Sequence, residues 1–176
     1  LTSWLAPDNR VGYPDIYVQS TERHPMDYLS TEVITARGWH TKRIGVEMDN
    51  YYFSAAAFAS LQKHLPQATF IDTNGLVNWQ RAVKSPQEIA YMRIAARIVE
   101  KMHEKIVEVI EPGMRKNELV GEIYSTAILG AEGHGGDYPS IVPMLPTGAE
   151  AAAPPLTSDD SPMPYDSGTF FELTAR

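Results

Sequence analysis

A helix start at residues 85–88 divides this chain and constrains what lies on either side. Ser85 stands at a cap position, Pro86 at the first helical position and Glu88 at the third, which makes a capping box. Behind it Ile89, Met92, Ala96, Val99, Ile106 and Ile110 recur at spacings mostly near three and four. One buried stripe is therefore expected, ending at Glu111-Pro112-Gly113. His103 falls on that stripe and is read as a packing histidine rather than a ligand. A second helix is expected over about residues 117–129, carrying Leu119, Val120, Ile123, Tyr124, Ala127 and Ile128 and breaking at Gly130 and Gly133.

Before the divide, strand and helix patterns alternate. Turn formers (Pro7, Asp8, Asn9, Gly12, Pro14) lead into a strand expected at 15–19. Helical spacing follows over 26–37, with Tyr28, Leu29, Val33, Ile34 and Ala36 inward and Gly38 as the stop. A strand is expected at 43–48. The next helix is capped by Ser54, with Ala57, Phe58 and Leu61 inward, and closes at Leu65-Pro66. A third strand is expected at 68–72. This order predicts a parallel α/β layer over residues 1–82, with a second domain over 83–176.

Charge and composition narrow the function. The net charge of −7, without a basic run, argues against nucleic acid or an anionic membrane as partner. The chain has no cysteine, so disulfides, thiolate metal sites and cysteine nucleophiles are excluded within it. No stretch reaches the roughly 18 to 20 apolar residues that span a bilayer. The chain starts at Leu1 and stops at Arg176 directly after an apolar strand, and reads as an internal piece of a longer protein.

The chemistry converges on residues 134–148. His134, Gly135, Gly136, Asp137 and Tyr138 precede a short β-type run bounded by prolines, and a small-residue loop leads to Asp159-Asp160. A second β-type run, 168–174, contains Glu172. Two such runs with a loop between them can form a pocket wall, or a plain surface connection.

Taken together, these stretches resemble the creatinase and aminopeptidase P family. The markers are Lys84-Ser85-Pro86-Gln87-Glu88-Ile89, Glu111-Pro112-Gly113-Met114, and Tyr138-Pro139-Ser140-Ile141-Val142 followed by Gly148. Within it the chain is most similar to the ectoine hydrolases. That likeness rests on Val11-Gly12-Tyr13-Pro14-Asp15, on the long run from Gln19 through Thr21-Glu22-Arg23-His24-Pro25-Met26-Asp27 to Leu29, on Leu156-Thr157-Ser158-Asp159-Asp160, and on Gly168-Thr169-Phe170-Phe171-Glu172.

The resemblance implies an α/β protein: a partial creatinase-type amino-terminal domain followed by the first part of a pita-bread α+β domain. It implies a cytoplasmic homodimeric hydrolase that opens a cyclic amidine, a small-molecule substrate, by attack of water. An Xaa-Pro peptidase and a non-catalytic relative that binds a small molecule or dimerises remain the alternatives. Two departures follow from the same comparison. The family's acid/base histidine position is Pro155, and proline cannot exchange a proton. The first aspartate ligand of the peptidases' two divalent metal ions is Thr174, so no metal cofactor is expected here. The first departure is unexpected in an active member.

A cationic amidine needs carboxylates to hold it, a base for water and an acid for the departing nitrogen. Glu172 is one catalytic candidate: its apolar neighbours Phe171 and Leu173 would disfavour the charged carboxylate and suit acid/base work, unless it faces solvent. His134 is the other, as a substitute base or a plain loop histidine. Asp137 and Tyr138 are the substrate-binding candidates, against a turn role for Asp137 and a core role for Tyr138. Asp159-Asp160 are expected to form a turn before Pro162.

Overall fold

Two short parallel strands hold the first half of the chain together. β1 (Arg43–Val46) lies beside β2 (Thr69–Asp72), with Ile44 opposite Phe70 and Val46 opposite Asp72. A parallel pair needs a crossover. Here it contains α2 (Ala55–His64), whose first turn is capped by the Ser54 hydroxyl accepting from the Ala57 amide at 3.1 Å. Ile34, Val46, Leu61 and Leu65 form the core, with Phe53, Phe58 and Phe70 packed against it. The computed structural model describes residues 5–153 and 156–176 and divides into two units, Leu1–Val83 and Lys84–Arg176.

In the first unit the expected helix is present, with a change of pitch. α1 (Pro25–Tyr28) continues as a π-helical segment, Leu29–Thr35. The Thr35 hydroxyl donates to the Ser30 carbonyl five residues back, at 2.7 Å, in keeping with the wider turn. Gly38, at φ 70°, stops it, and the Trp39 amide donates to the Ile34 carbonyl. Ala36 is exposed rather than inward. The expected strand at 15–19 is instead a 3₁₀ turn, Asp15–Tyr17. Its amides bond backwards, Val18 N to Asp15 O, and Ile16 and Val18 are both exposed, so no buried face rewards alternation. Among the described residues the unit therefore has two strands, not three. Helix α3 (Leu76–Ala82) has no counterpart in the sequence reading. It buries no residue, so there was no stripe to read.

In the second unit α4 (Pro86–Val109) starts at the expected capping box: Ser85 Oγ accepts from Glu88 N, and the Glu88 carboxylate accepts from Ser85 N at 2.7 Å. It packs against α5 (Lys116–Leu129). The buried stripe on α4 is Ile98, Met102 and Ile106, facing Leu119, Ile123 and Ala127. This corrects the expected phase. Ile89, Met92 and Ile110 are 38, 53 and 36% exposed. Ile106 is buried and Val99 packs against this core as expected, so the covered face is turned only partway from the expected stripe: Ile98 and Met102 join it, while Ile89, Met92 and Ile110 stay uncovered. His103 lies on the exposed side, its Nδ1 2.9 Å from the Val99 carbonyl.

After α5 the backbone turns tightly. At Gly130 (φ 74°) a Cβ would collide with the His134 carbonyl oxygen, and at Gly136 with the Ala127 carbonyl oxygen. The chain then runs beside its own end, Met144 opposite Glu172 and Thr147 opposite Thr169, antiparallel. Four backbone bonds tie 144–148 to 168–172. Pro143 and Pro146 interrupt the ladder, which leaves isolated bridges instead of a regular strand pair. Phe171, Leu173 and Ala175 pack against the helical core.

Met102, sealed, and Met92, half exposed, make a direct comparison possible. Met102→Ala should destabilise the second unit by about 2–5 kcal/mol, whereas Met92→Ala should stay within about 0.5 kcal/mol. Urea unfolding followed by circular dichroism reads both, and equal losses would show that the stripe is misassigned.

Candidate functional site

The paired runs bring the candidates of the second unit onto one stretch of backbone. The Asp137 amide donates to the carbonyl of Arg176 at 3.0 Å. The Arg176 guanidinium lies over the Tyr138 ring, 5.7 Å from its centroid. The Thr174 hydroxyl accepts from the Ile141 amide and donates to the Ile141 carbonyl, at 3.3 Å each. Glu172 exchanges both backbone bonds with Met144. Residues 137–144 and 172–176 thus share one edge.

Their side chains differ from the sequence reading in surroundings. Glu172 is exposed: inward-facing Phe171 and Leu173 alternate with it, so the apolar enclosure expected around its carboxylate is not formed by these neighbours. Asp137 is exposed and its Oδ1 accepts from the Tyr138 amide at 2.7 Å, a turn role that leaves Oδ2 available. Tyr138 is 65% exposed, so it is not a core residue, and the cation on its ring is the chain's own. His134 is exposed in the tight turn, its backbone exchanging two bonds with Ala131. No hydrogen bond links the His134 ring to the other candidates among the described contacts. Pro155 lies outside the described residues.

The sequence reading missed an ion cluster beside this edge. Lys116, the first residue of α5, is 3% exposed. Its ammonium donates to Glu150 Oε2 at 2.6 Å and to Asp159 Oδ2 at 3.5 Å. Burial pushes the lysine pKa down, but the Glu150 hydrogen bond and the Asp159 charge outweigh it and leave it above its usual value. Glu150 is held below its usual range by Lys116 first and by the Thr147 amide next. Asp159 is held low by the hydroxyl and amide of Ser161, with Lys116 adding to them. Asp159 therefore makes the expected turn and an ion pair besides. Asp160 pairs with Arg115 at 2.7 Å. A lysine at a helix start, among ordinary surface charges, gives no sequence signal of burial.

A second polar cluster lies in the first unit, centred on Asp27 of the long run from Gln19 to Leu29 and completed by Ser60 and His64 of α2. Asp27 accepts from the Ser60 hydroxyl at 2.6 Å and from the His24 amide at 3.0 Å, and lies 3.2 Å from His64 Nε2. The Ser60 bond, against the opposing effect of burial, and then the His24 amide hold its carboxyl below the ordinary value of 3.8. These contacts fasten α1 to α2.

Family comparison accounts for both units. Residues 6–83 match the Creatinase/Prolidase N-terminal domain, and residues 90–176 match Metallopeptidase family M24. The chain belongs to the creatinase–M24 family. It is 59% identical to the ectoine hydrolase of Halomonas elongata over 98% of its own length and 44% of the relative's. An Xaa-Pro dipeptidase from Bacillus anthracis superposes with a TM-score of 0.67 at 21% identity, covering 85% of this chain and 39% of that one. An X-Pro aminopeptidase from Thermotoga maritima gives 0.67 at 20% identity, over 84 and 39%. Identities this low show the fold alone: a creatinase-type amino-terminal domain followed by part of an M24 domain. The chain thus spans less than half of these creatinase–M24 relatives.

The M24 name implies metal ions, and the residues present do not fit them. Thr174 spends its hydroxyl on the Ile141 backbone. Among the described residues no three histidine or acidic side chains gather as a metal would require. Zinc or manganese should therefore wash out of this chain on dialysis. Stoichiometric metal that survives dialysis and is lost in Glu172→Ala would contradict this.

Proposed function

We propose that this chain is part of a hydrolase that opens a cyclic amidine of the ectoine type at a C–N bond, in the degradation of a compatible solute. The observation that carries the reading is the 59% identity to an ectoine hydrolase over nearly the whole chain. In this reading the enzyme is a cytoplasmic homodimer acting on a small molecule. Among the described residues no helix is long and apolar enough to cross a membrane.

The chemistry assigned to the edge is modest. An amidinium spreads its charge over two nitrogens and suits a carboxylate that keeps a free oxygen, as Asp137 does through Oδ2. Glu172, open on its side of the paired runs, is the acid/base candidate, with His134 the substitute. Tyr138 offers the cation the face of its exposed ring that the Arg176 guanidinium does not cover. The peptidase reading is less supported, because Thr174 and its neighbours offer no metal-binding set. Pro155 favours a different second reading, a relative that binds the amidine without turning it over.

Turnover separates these readings. The chain alone is expected to leave ectoine unopened, with or without Pro155→His. Completed with the carboxyl-terminal part of the Halomonas elongata protein, Pro155→His should exceed the proline form by about 10²- to 10⁴-fold, the usual worth of general acid/base help. Equal, rapid turnover by both forms would place the base elsewhere, and His134→Ala would be the next variant to assay.

A further inference from the structure

We propose that Lys116 is a positioning residue, which ties Glu150 at the entry of the loop 148–161 to Asp159 at its exit and holds the described residues at both ends in place. Its ammonium reaches Glu150 in the loop's first turn and Asp159 near its exit, nine positions apart in sequence, from one nearly sealed site. The backbone joins in: the Lys116 amide donates to the Ser161 carbonyl at 3.0 Å. Beside it Arg115 forms a bridge with Pro162 and an ion pair with Asp160. At the entry, Glu150 closes a capping box on Thr147, whose hydroxyl lies 3.0 Å from that of Thr169 in the facing run. The loop is thus anchored to α5 and to the candidate edge at once.

A buried ammonium with two carboxylates is costly to assemble unless all three are satisfied. Removing the lysine leaves Glu150 and Asp159 facing each other without a counter-charge, and removing the carboxylates leaves the lysine buried and unpaired. Either change should free the loop while leaving the α4–α5 core, which these groups do not build. The inference stands on these described contacts and does not rest on the amidine-hydrolase reading.

Amide hydrogen exchange on this chain tests the clamp without any substrate. At pH 7, Lys116→Met should speed exchange of the described loop amides by about tenfold or more, in line with the loss of charge-assisted hydrogen bonds. Exchange in α4 and α5 should be unchanged, and Lys116→Arg should restore part of the protection. The pH profile follows from the signs. Glu150 and Asp159 are depressed, so their contribution is present above their ordinary values of 4.5 and 3.8 and is lost as pH falls below them. Lys116 is raised, so its contribution is present below 10.5 and is lost only as pH rises beyond that. Wild-type loop protection should therefore hold between these limits, while Lys116→Met loses the alkaline limb and keeps only the acid dependence that the Ser161 and Thr147 bonds give Asp159 and Glu150. Where Lys116→Met does not fold, Glu150→Gln with Asp159→Asn serves instead and should loosen the same amides. A folded variant of either kind with wild-type loop exchange would overturn the clamp. Since no readout uses ectoine, failure here leaves the amidine reading intact, and failure of ectoine turnover leaves the clamp intact.

Discussion

The interlock of Ile98, Met102 and Ile106 with Leu119, Ile123 and Ala127 is the contact on which the second unit depends. Met102, Leu119 and Ile123 are fully sealed from solvent, as tight helix pairing requires. The end of the chain lies on this pair through Phe171, Leu173 and Ala175. Glu172 and Thr174 are held by backbone whose other face, Phe171, Leu173 and Ala175, rests on that core, and Asp137 joins them through its bond to the Arg176 carbonyl. The edge has little regular hydrogen bonding of its own, because two prolines interrupt it. Its geometry is inherited from the helices beneath.

Much of this was legible in the sequence, for local reasons. The capping box at Ser85, the cap at Ser54 and the stop at Gly38 depend on neighbours within a few residues, so their chemistry is printed in the chain. The βαβ order was legible from turn formers and β-type stretches, and so were the β-type runs after Gly136 and at 168–174, although their pairing was left open between a pocket wall and a surface connection. The phase of α4 was not. Its apolar residues at helical spacing lie on more than one face, and the position of α5 decides that Ile98 and Met102 are covered along with Ile106 while Met92 is not. The strand expected at 15–19 failed for a related reason: Ile16 and Val18 are good strand formers with nothing beside them to pair with.

The site was legible as a stretch but not as an environment. Asp137, Tyr138, Thr174 and Glu172 were named from the sequence, and the structure brings their backbones together. Exposure could not be read there, since the face of Glu172 follows from the pairing register, and a shift of one residue would reverse it. The Lys116 cluster was invisible because its three members are 34 and 43 positions apart. Ordinary surface lysines and carboxylates look the same until a fold seals one of them.

We propose amidine opening, rather than metal-dependent peptide cleavage, for the protein of which this creatinase–M24 chain is a part. The most direct measurement sets the two substrates side by side. The chain, completed with a relative's carboxyl-terminal part and with histidine at position 155, is stripped of divalent ions and offered ectoine and an Xaa-Pro dipeptide in the same tube. Proton NMR then follows both. The account predicts that ectoine is opened at a rate that added zinc or manganese does not raise, while the dipeptide stays whole. Cleavage of the dipeptide that switches on with added metal, with ectoine untouched, would contradict it.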